Sequence, residues 1–175
     1  MRQAPDGAAR GAIGAVDEDQ VGAATGLSGL TVTNSASTTV AAVTSTGAVS
    51  ITARNGVTLN GAMDATAATV TILANQDGSG TEGFTQATGA NISTINSTAL
   101  AVSITVNTGL GGTGAAAIRG ISAGIAGGTV TINATGLVSG VANGVSVTTF
   151  NGDIVVNVDD VTATTDSLDL LATGT

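Results

Sequence analysis

The hexapeptide Ala48-Val49-Ser50-Ile51-Thr52-Ala53 decides the fold of this chain. Small or hydroxyl-bearing side chains alternate in it with branched aliphatic ones, which is the two-residue period of a half-buried β-strand. The pattern occurs three more times, as Thr-Val-Thr-Ile-Leu-Ala at 69–74, Ala-Val-Ser-Ile-Thr-Val at 101–106 and Thr-Val-Thr-Ile-Asn-Ala at 129–134. One strand-bearing unit is therefore repeated along the chain.

The intervals between equivalent positions of this repeat are long and unequal. They are 21 residues from Val49 to Val70, then 32 to Val102, 28 to Val130 and 24 to Ile154. Periods of this size are typical of solenoids, propellers and repeat arrays. A constant strand with variable connections favours a right-handed parallel β-helix of about six coils, whereas a propeller would need a more constant blade length. An antiparallel β-sandwich remains the alternative.

The composition predicts how such a stack is filled. Hydrophobic residues make up 42% of the 175 residues but aromatic residues only 1%, and there is no cysteine. The core must therefore consist of stacked aliphatic side chains, which suit a narrow interior filled layer by layer. Patterned aliphatic residues with only 9% charged residues also argue against disorder, because disordered chains combine low hydrophobicity with high charge.

Ten aliphatic residues are predicted to form the stacked wall of the solenoid. Because the ends of such a stack leave backbone groups unpaired, we also expect this wall to support self-association, by end-to-end stacking or by continuation in a longer chain. The ten residues are Val49, Ile51, Val70, Ile72, Val102, Ile104, Val130, Ile132, Ile154 and Val156.

The chain divides into two parts that differ in residue composition. Residues 1–25 hold the only proline and an acidic run, and they are predicted to be an irregular segment or a loose first coil. Residues 26–175 are predicted to be the solenoid repeats. The glycine-rich polar stretch 75–91 is predicted to be a loop that leaves the stack. Asn-Gly pairs such as Asn55-Gly56 and Asn60-Gly61 predict sharp corners, because this dipeptide favours positive φ.

The charge balance excludes several kinds of partner. The net charge is −8, with four scattered arginines and no lysine, so neither nucleic acid nor an anionic membrane surface is an expected partner. No run of about 18 apolar residues predicts a membrane span. The first ten residues lack the apolar stretch of a secretory signal, so an exported form would be a mature form or an excerpt of something longer.

The residue inventory predicts no enzyme. Without histidine and cysteine, the usual nucleophile arrangements and zinc sites cannot be built. Asp159 and Asp160 are adjacent, with Asp166 and Asp169 nearby, but neighbouring strand residues point to opposite faces, so we interpret all four as solvated surface acids. No cofactor is predicted; calcium is the one metal candidate, at Asp77 and Glu82, and the spacing there is not that of an EF-hand.

The repeated strands, the Asn-Gly corners and the Thr/Ser/Ala/Gly padding resemble the large repetitive exoproteins of bacteria, the filamentous-haemagglutinin-like and autotransporter-type adhesins. The resemblance covers about residues 26 to 175 and rests on texture. It implies a right-handed parallel β-helix at the cell surface that forms a stalk or fibre for adhesion. The secretion signal, export domain and membrane barrel of a full-length member are not found in this sequence.

Two further functions are compatible with the same pattern. Outward hydroxyls, such as Thr69 with Thr71 and Thr129 with Thr131, predict an array that binds carbohydrate or ice. Ala and Ser at the equivalent positions in the other two repeats weaken a strict threonine ladder. A carbohydrate-active enzyme is the third alternative, and the inventory above argues against it.

Overall fold

The computed structural model describes residues 2–3, 11–13, 18–79, 82–87, 89–107, 118–123, 128–139, 143–163 and 165–174. These residues form nineteen β-strands in three sheets, and every pairing among them is parallel. The first four circuits of the chain visit sheet 1, sheet 2 and sheet 3 in turn, and the last three have described strands in sheets 1 and 3 only. Each circuit returns to sheet 1 beside its previous strand. This is a parallel β-helix, and the antiparallel sandwich is excluded.

Sheet 1 contains the repeated hexapeptide and runs through all seven coils. Its strands are β2 (Gly11–Ile13), β5 (Leu30–Ser35), β8 (Val49–Ala53), β11 (Val70–Ala74), β14 (Val102–Asn107), β16 (Val130–Ser139) and β18 (Ile154–Thr162).

Sheet 2 is shorter and contains five strands. They are β1 (Arg2–Gln3), β3 (Glu18–Val21), β6 (Ser37–Val40), β9 (Val57–Leu59) and β12 (Phe84–Gln86).

Sheet 3 closes each coil. Its strands are β4 (Ala24–Leu27), β7 (Val43–Ser45), β10 (Met63–Asp64), β13 (Ile92–Ser93), β15 (Ile118–Ala123), β17 (Asn143–Phe150) and β19 (Asp166–Thr173). Seven strands in sheets 1 and 3 correspond to seven coils, close to the predicted six. The right hand of the helix stays a prediction, in line with the general rule for parallel crossovers.

The register of sheet 1 places like residues on like residues. Val49, Val70, Val102 and Val130 are partners in successive strands, and the isoleucines two positions later are partners in the same way. The eight wall residues from Val49 to Ile132 are at most 1% exposed. Because strand side chains alternate between faces, this register buries one aliphatic row above another through the middle coils.

The predicted loop at 75–91 is wrong for its central part. Phe84 begins β12, pairs with Val57 of β9, and is fully buried. The sequence around it is polar and glycine-rich, which hid a strand of only three residues. The burial pattern of that strand alternates, with Thr85 exposed between two buried residues, as expected for a wall strand. Sheet 2 therefore continues through this coil.

The N-terminal segment agrees with the alternative of a first coil as far as it is described. β3 and β4 lie within residues 18–27 and pair with β6 and β7 of the next coil. Most of residues 1–17 lies outside the described part of the chain, so the boundary predicted at residue 25 has no structural counterpart.

The corners that Asn55-Gly56 and Asn60-Gly61 predict are present, but the physical reason differs there, whereas Asn151 of the pair Asn151-Gly152 has the expected positive φ, 56°. Gly56 and Gly61 lie between strands, and neither Asn55 nor Asn60 has positive φ. A Cβ at Gly61 would lie 2.5 Å from the backbone N of Ala42 in the preceding coil. Glycine is needed at this corner because adjacent coils approach closely there, not because of its φ.

Candidate functional site: an open coil end and a hydroxyl face

Two surfaces of the solenoid have properties that a merely structural wall does not require. One is the last coil, formed by β18 and β19. The other is the outer face of sheet 1. The other residue groups that the sequence singled out do not assemble into a site.

The last coil is open on the side away from β16 and β17. Leu168 and Leu170 of β19 are the register partners of Val145 and Val147 in β17, which are 0% and 1% exposed. Leu168 and Leu170 are nevertheless 47% and 40% exposed. These inward positions are exposed because, among the described strands, β19 has a neighbour on one side only.

The same change of burial occurs in sheet 1. Ile132 is fully buried, whereas its partner Val156 in β18 is half-buried. Ile154, Val158 and Val161 are half-buried in the same way and pack on the core from its end. Of the ten predicted wall residues, eight are enclosed within the monomer and cannot contact another chain. Only Ile154 and Val156 lie where self-association can use them.

The first coil differs from the last one. No strand beyond β4 is described in sheet 3, yet Ala24 and Leu27 of β4 are only 7% and 4% exposed. Val21 of β3 is 1% exposed. These three side chains of the first coil are therefore covered, whereas the inward aliphatic side chains of the last coil are partly or largely exposed.

The open end carries a concentrated negative charge. Five of the twelve acidic residues of the chain lie in its last coil, all of them exposed: Asp153, Asp159, Asp160, Asp166 and Asp169. The sequence has no lysine or arginine after Arg119, so β16 and β17 bring no cation to these carboxylates. The Ser146 hydroxyl donates a hydrogen bond to Asp169 Oδ2 at 3.2 Å.

The outer face of sheet 1 carries a row of hydroxyls that is continuous over five coils. Each member is half-buried and is the register partner of the next: Thr31, Ser50, Thr71, Ser103 and Thr131. Val155 ends the row in the last coil. Adjacent members are separated by about 4.8 Å, the spacing of neighbouring strands. The row is uncharged throughout.

The neighbouring row, to which Thr69 and Thr129 belong, is broken. Ala101 stands between these two threonines in the stack and is fully buried. The row on the other side is broken by Leu73, which is aligned with Thr52 and Thr105. The pairs Thr69–Thr71 and Thr129–Thr131 thus contribute one member each to a single continuous row. In the last two coils, Asn157 Nδ2 donates to Asn133 Oδ1 at 2.8 Å.

The calcium candidates are not brought together into a cage. Asp77 and Glu82 are both exposed, and Asp77 Oδ1 accepts the backbone N–H of Ser79 at 3.0 Å, which closes a local turn. Within the described residues, no group of three or more acidic, histidine or cysteine side chains could hold a metal ion. Asp159 and Asp160 are both exposed on β18, where Asp160 is the register partner of Leu137.

Sequence reasoning missed one well-ordered corner. Thr66 has a φ of 42°, which is unusual for a β-branched residue. Thr94 Oγ1 donates to the carbonyls of Thr66 and Ala68, at 3.0 and 2.6 Å, and Asn96 Nδ2 donates to Ala67 O at 3.0 Å. These contacts tie two successive coils together. No local sequence signal predicts them, since the partners are 26 to 29 residues apart.

Comparisons of the chain with protein-family models, with curated protein sequences and with solved structures give no match. The described residues include no helix long and apolar enough to cross a membrane. The resemblance to repetitive bacterial exoproteins stays a prediction from texture.

Proposed function

We propose that this chain is a structural segment of an extracellular fibre or stalk, used to hold an adhesive surface away from a cell. The observation that carries the proposal is the parallel pairing of sheet 1 from β2 to β18, which stacks seven coils on one aliphatic core. At about 4.8 Å per coil, the stack is a rod about 30 Å long. Each coil is held mainly by its neighbours, so length can be added by adding coils.

Two further features support a structural role. The outer faces carry hydroxyls and few charges, which keeps a long rod uniform along its axis. The last coil leaves its inward aliphatic residues exposed, which gives the rod an end that another coil can cover. The extracellular location is proposed only from the resemblance to repetitive bacterial exoproteins. Other parts of the fibre would contact the surface to which the cell adheres.

Stiffness is the property that tests this function. Fluorophores attached near residues 20 and 170 would report the end-to-end distance by single-molecule energy transfer. We expect one narrow distribution near 30 Å. A flexible Gly/Ser linker of equal length is the control, with a broad distribution around roughly 70 Å from random-coil scaling. A broad distribution for the solenoid would contradict a stalk.

The role in adhesion is tested on cells. The chain, or the equal-length Gly/Ser linker, is placed between a surface anchor and a reporter binding domain on a non-adherent bacterium. We expect the rigid chain to raise capture on a ligand-coated surface under flow, relative to the linker. Equal capture by both would count against a stalk function.

The second candidate function is binding through the hydroxyl face, and the continuous row from Thr31 to Thr131 favours it. A flat row with a regular spacing matches a repetitive partner such as ice or a linear glycan. Thermal hysteresis and glycan-array binding by the soluble chain would test it. Thr71→Val, which removes one hydroxyl from the middle of the row, should reduce the signal several-fold.

A matched control for that variant lies on another wall. Thr58→Val removes an equally half-buried hydroxyl from sheet 2, where Thr39, Thr58 and Thr85 are register partners. We expect it to leave binding unchanged. Equal losses of binding in both variants would indicate a general surface effect and would contradict a binding site on sheet 1.

A further inference from the structure

We propose that Asn96 is an N-glycosylation site, and that the attached glycan covers the two exposed aliphatic side chains beside it, Ile95 and Leu100. The site lies in the connection 94–101, between β13 of sheet 3 and β14 of sheet 1. The proposal goes beyond the structural role and uses only its extracellular location. The stiffness of the rod does not depend on it, so a failed test here leaves the stalk function standing.

The sequence contains three Asn-x-Ser/Thr tripeptides, the acceptor signal for N-linked glycans. They begin at Asn91, Asn96 and Asn133. Because N-linked glycans are bulky and lie on the surface, the whole tripeptide has to be accessible to the enzyme that attaches them. The three tripeptides differ in this respect.

Two of the tripeptides belong to the sheets. Asn133 lies in β16, which is paired with β14 and β18 on its two sides, and the next residue, Ala134, is 2% exposed. Asn91 directly precedes β13, which is paired with β10 and β15, and the next residue, Ile92, is fully buried. A backbone held from both sides cannot enter the binding cleft of an enzyme without local unfolding of its coil.

The tripeptide Asn96-Ser97-Thr98 lies outside the strands. Ser97 and Thr98 are exposed, and Asn96 is half-buried. The connection that carries them spans residues 94–101, whereas the equivalent corner between β7 and β8 spans only residues 46–48. The longer connection therefore leaves this acceptor free of the hydrogen-bond ladders of both sheets.

The amide of the acceptor is held in one orientation. Asn96 Oδ1 accepts the backbone N–H of Thr98 at 2.9 Å and the Thr98 hydroxyl at 2.5 Å. Asn96 Nδ2 donates to Ala67 O of the previous coil at 3.0 Å. A side-chain amide has two N–H groups, so one of them makes this bond and the other is available for substitution. The glycosylated amide keeps one N–H and can keep the bond to Ala67.

The modification is a transfer from an activated sugar, a glycosyl diphosphate carried on a nucleoside or a lipid, and it requires a transferase. The bond between the sugar C1 and the phosphate oxygen breaks, and a bond between C1 and Asn96 Nδ2 forms. The diphosphate leaves with the bonding electron pair, and the amide nitrogen loses one proton. The products are the N-glycosyl amide and the nucleoside or lipid diphosphate.

The residues that flank the acceptor give a second, independent observation. Ile95 and Leu100 are 57% and 64% exposed, the two highest values among the large hydrophobic residues that the structure describes. Every other exposed large hydrophobic residue in the described part of the chain lies in β17, β18 or β19. A sugar ring has an apolar face of C–H groups, so a glycan on Asn96 can remove both side chains from water.

Glycopeptide mapping by mass spectrometry, on the chain isolated from the cells that make it, tests the proposal directly. We expect a sugar on Asn96, with Asn91 and Asn133 unmodified. An unmodified Asn96 would overturn the proposal, and so would equal occupancy of all three asparagines.

Transfer to the folded chain tests whether the fold selects the site. The recombinant chain is incubated with an N-glycosyltransferase that accepts Asn-x-Ser/Thr and with its sugar-nucleotide donor, and synthetic peptides of the three tripeptides show that each sequence is accepted. We expect modification of the folded chain at Asn96 alone. Thr98→Ala should abolish it, whereas Thr98→Ser, which keeps the signal, should retain it. Equal modification of Asn133 in the folded chain would contradict selection by the fold.

The cover over the aliphatic side chains is tested with anilinonaphthalenesulfonate, a dye that binds exposed apolar surface. Glycosylation of Asn96 should lower its fluorescence, and Ile95→Ser/Leu100→Ser should lower the fluorescence of the unglycosylated chain in the same way. In that variant the glycan should have no further effect. In the control variant Leu168→Ser/Leu170→Ser the glycan should still lower the fluorescence. An equal effect of the glycan in both variants would overturn the proposed cover.

Discussion

The middle coils and the last coil are built from the same kind of sequence and differ in how well they are buried. Val70 and Ile72 of β11 lie between strands on both sides and are fully buried. Ile154 and Val156 of β18 occupy the same register positions with a neighbour on one side only, and both are half-buried. The difference shows that an inward side chain in this fold is fully buried only when coils lie on both sides of it.

The cross-section changes along the same direction. The first four coils, up to β13, include strands of sheet 2, whereas the last three coils have described strands only in sheets 1 and 3. β16 and β18 are ten and nine residues long, with a register shift between Ala134 and Leu137. Because β18 and β19 each have a described neighbouring strand on one side only, stability should fall from the middle of the rod toward its C-terminal end.

The largest expected effect is on hydrogen exchange. Amides of β8, β11 and β14 should open only in global unfolding, whereas those of β18 and β19 should also open by local loss of the last coil. We expect protection factors to differ by a factor on the order of a hundred or more. Exchange measured by mass spectrometry would show it. Equal protection factors in both regions would contradict the expected difference in stability between the middle coils and the last coil.

A matched pair of core truncations sharpens the comparison in free energy. Ile72→Ala leaves a cavity between two coils and should lower the free energy of unfolding by about 2–5 kcal/mol. Ile154→Ala removes the same atoms from a half-exposed position, where the loss should be about 1 kcal/mol. Urea titrations followed by circular dichroism measure both. Equal losses would mean that the last coil is as well covered as the middle ones.

Close contact between coils at the corners predicts the next effect. Gly61→Ala places a Cβ 2.5 Å from the backbone N of Ala42, and overpacking of this kind should cost about 1–3 kcal/mol. Gly78→Ala is the control, since its Cβ meets nothing within 4 Å, although a φ of +66° still costs about 1 kcal/mol. A smaller loss at Gly61 than at Gly78 would contradict the close approach of adjacent corners.

The smallest expected effect on the free energy of unfolding concerns substitutions of Asn75. Its side chain is fully buried, neither amide atom has a hydrogen-bond partner, and its φ is 51°. Asn75→Gly removes the unpaired amide and suits the left-handed backbone, so we expect its free energy of unfolding to exceed that of Asn75→Ala by about 1 kcal/mol. The two thermal unfolding curves measure the difference. The reverse order would mean that the amide has a partner in solution.

Much of the fold could be predicted from the sequence because alternation is a local signal. The hexapeptides around Val49, Val70, Val102 and Val130 define sheet 1, and the structure aligns them one on another. The alternating stretch from Ser167 to Leu171 lies within β19 of sheet 3. In each case enough residues alternate to define the period.

Short strands and long-range contacts could not be predicted in this way. β12 has three residues, and Phe84 is buried only because Val57 of the previous coil lies beside it. The exposure of Leu168 and Leu170 likewise depends on β19 having a described neighbour on one side only, and their alternation is the same as that of a buried strand. The continuous hydroxyl row could be identified only from the strand register. Because the coils differ in length, the sequence alone does not show which threonines lie next to each other.

The in-register parallel stack is tested most directly by a disulfide across two coils. The chain has no cysteine, so Thr71→Cys/Ser103→Cys introduces one pair, at outward register partners 32 residues apart. Mild oxidation should form an intramolecular disulfide, since neighbouring strands lie about 4.8 Å apart and disulfides span Cα distances of about 4.4–6.8 Å. Thr71→Cys/Thr105→Cys, displaced by two residues, should stay reduced. Efficient bonding in the displaced pair and none in the aligned pair would contradict the stack.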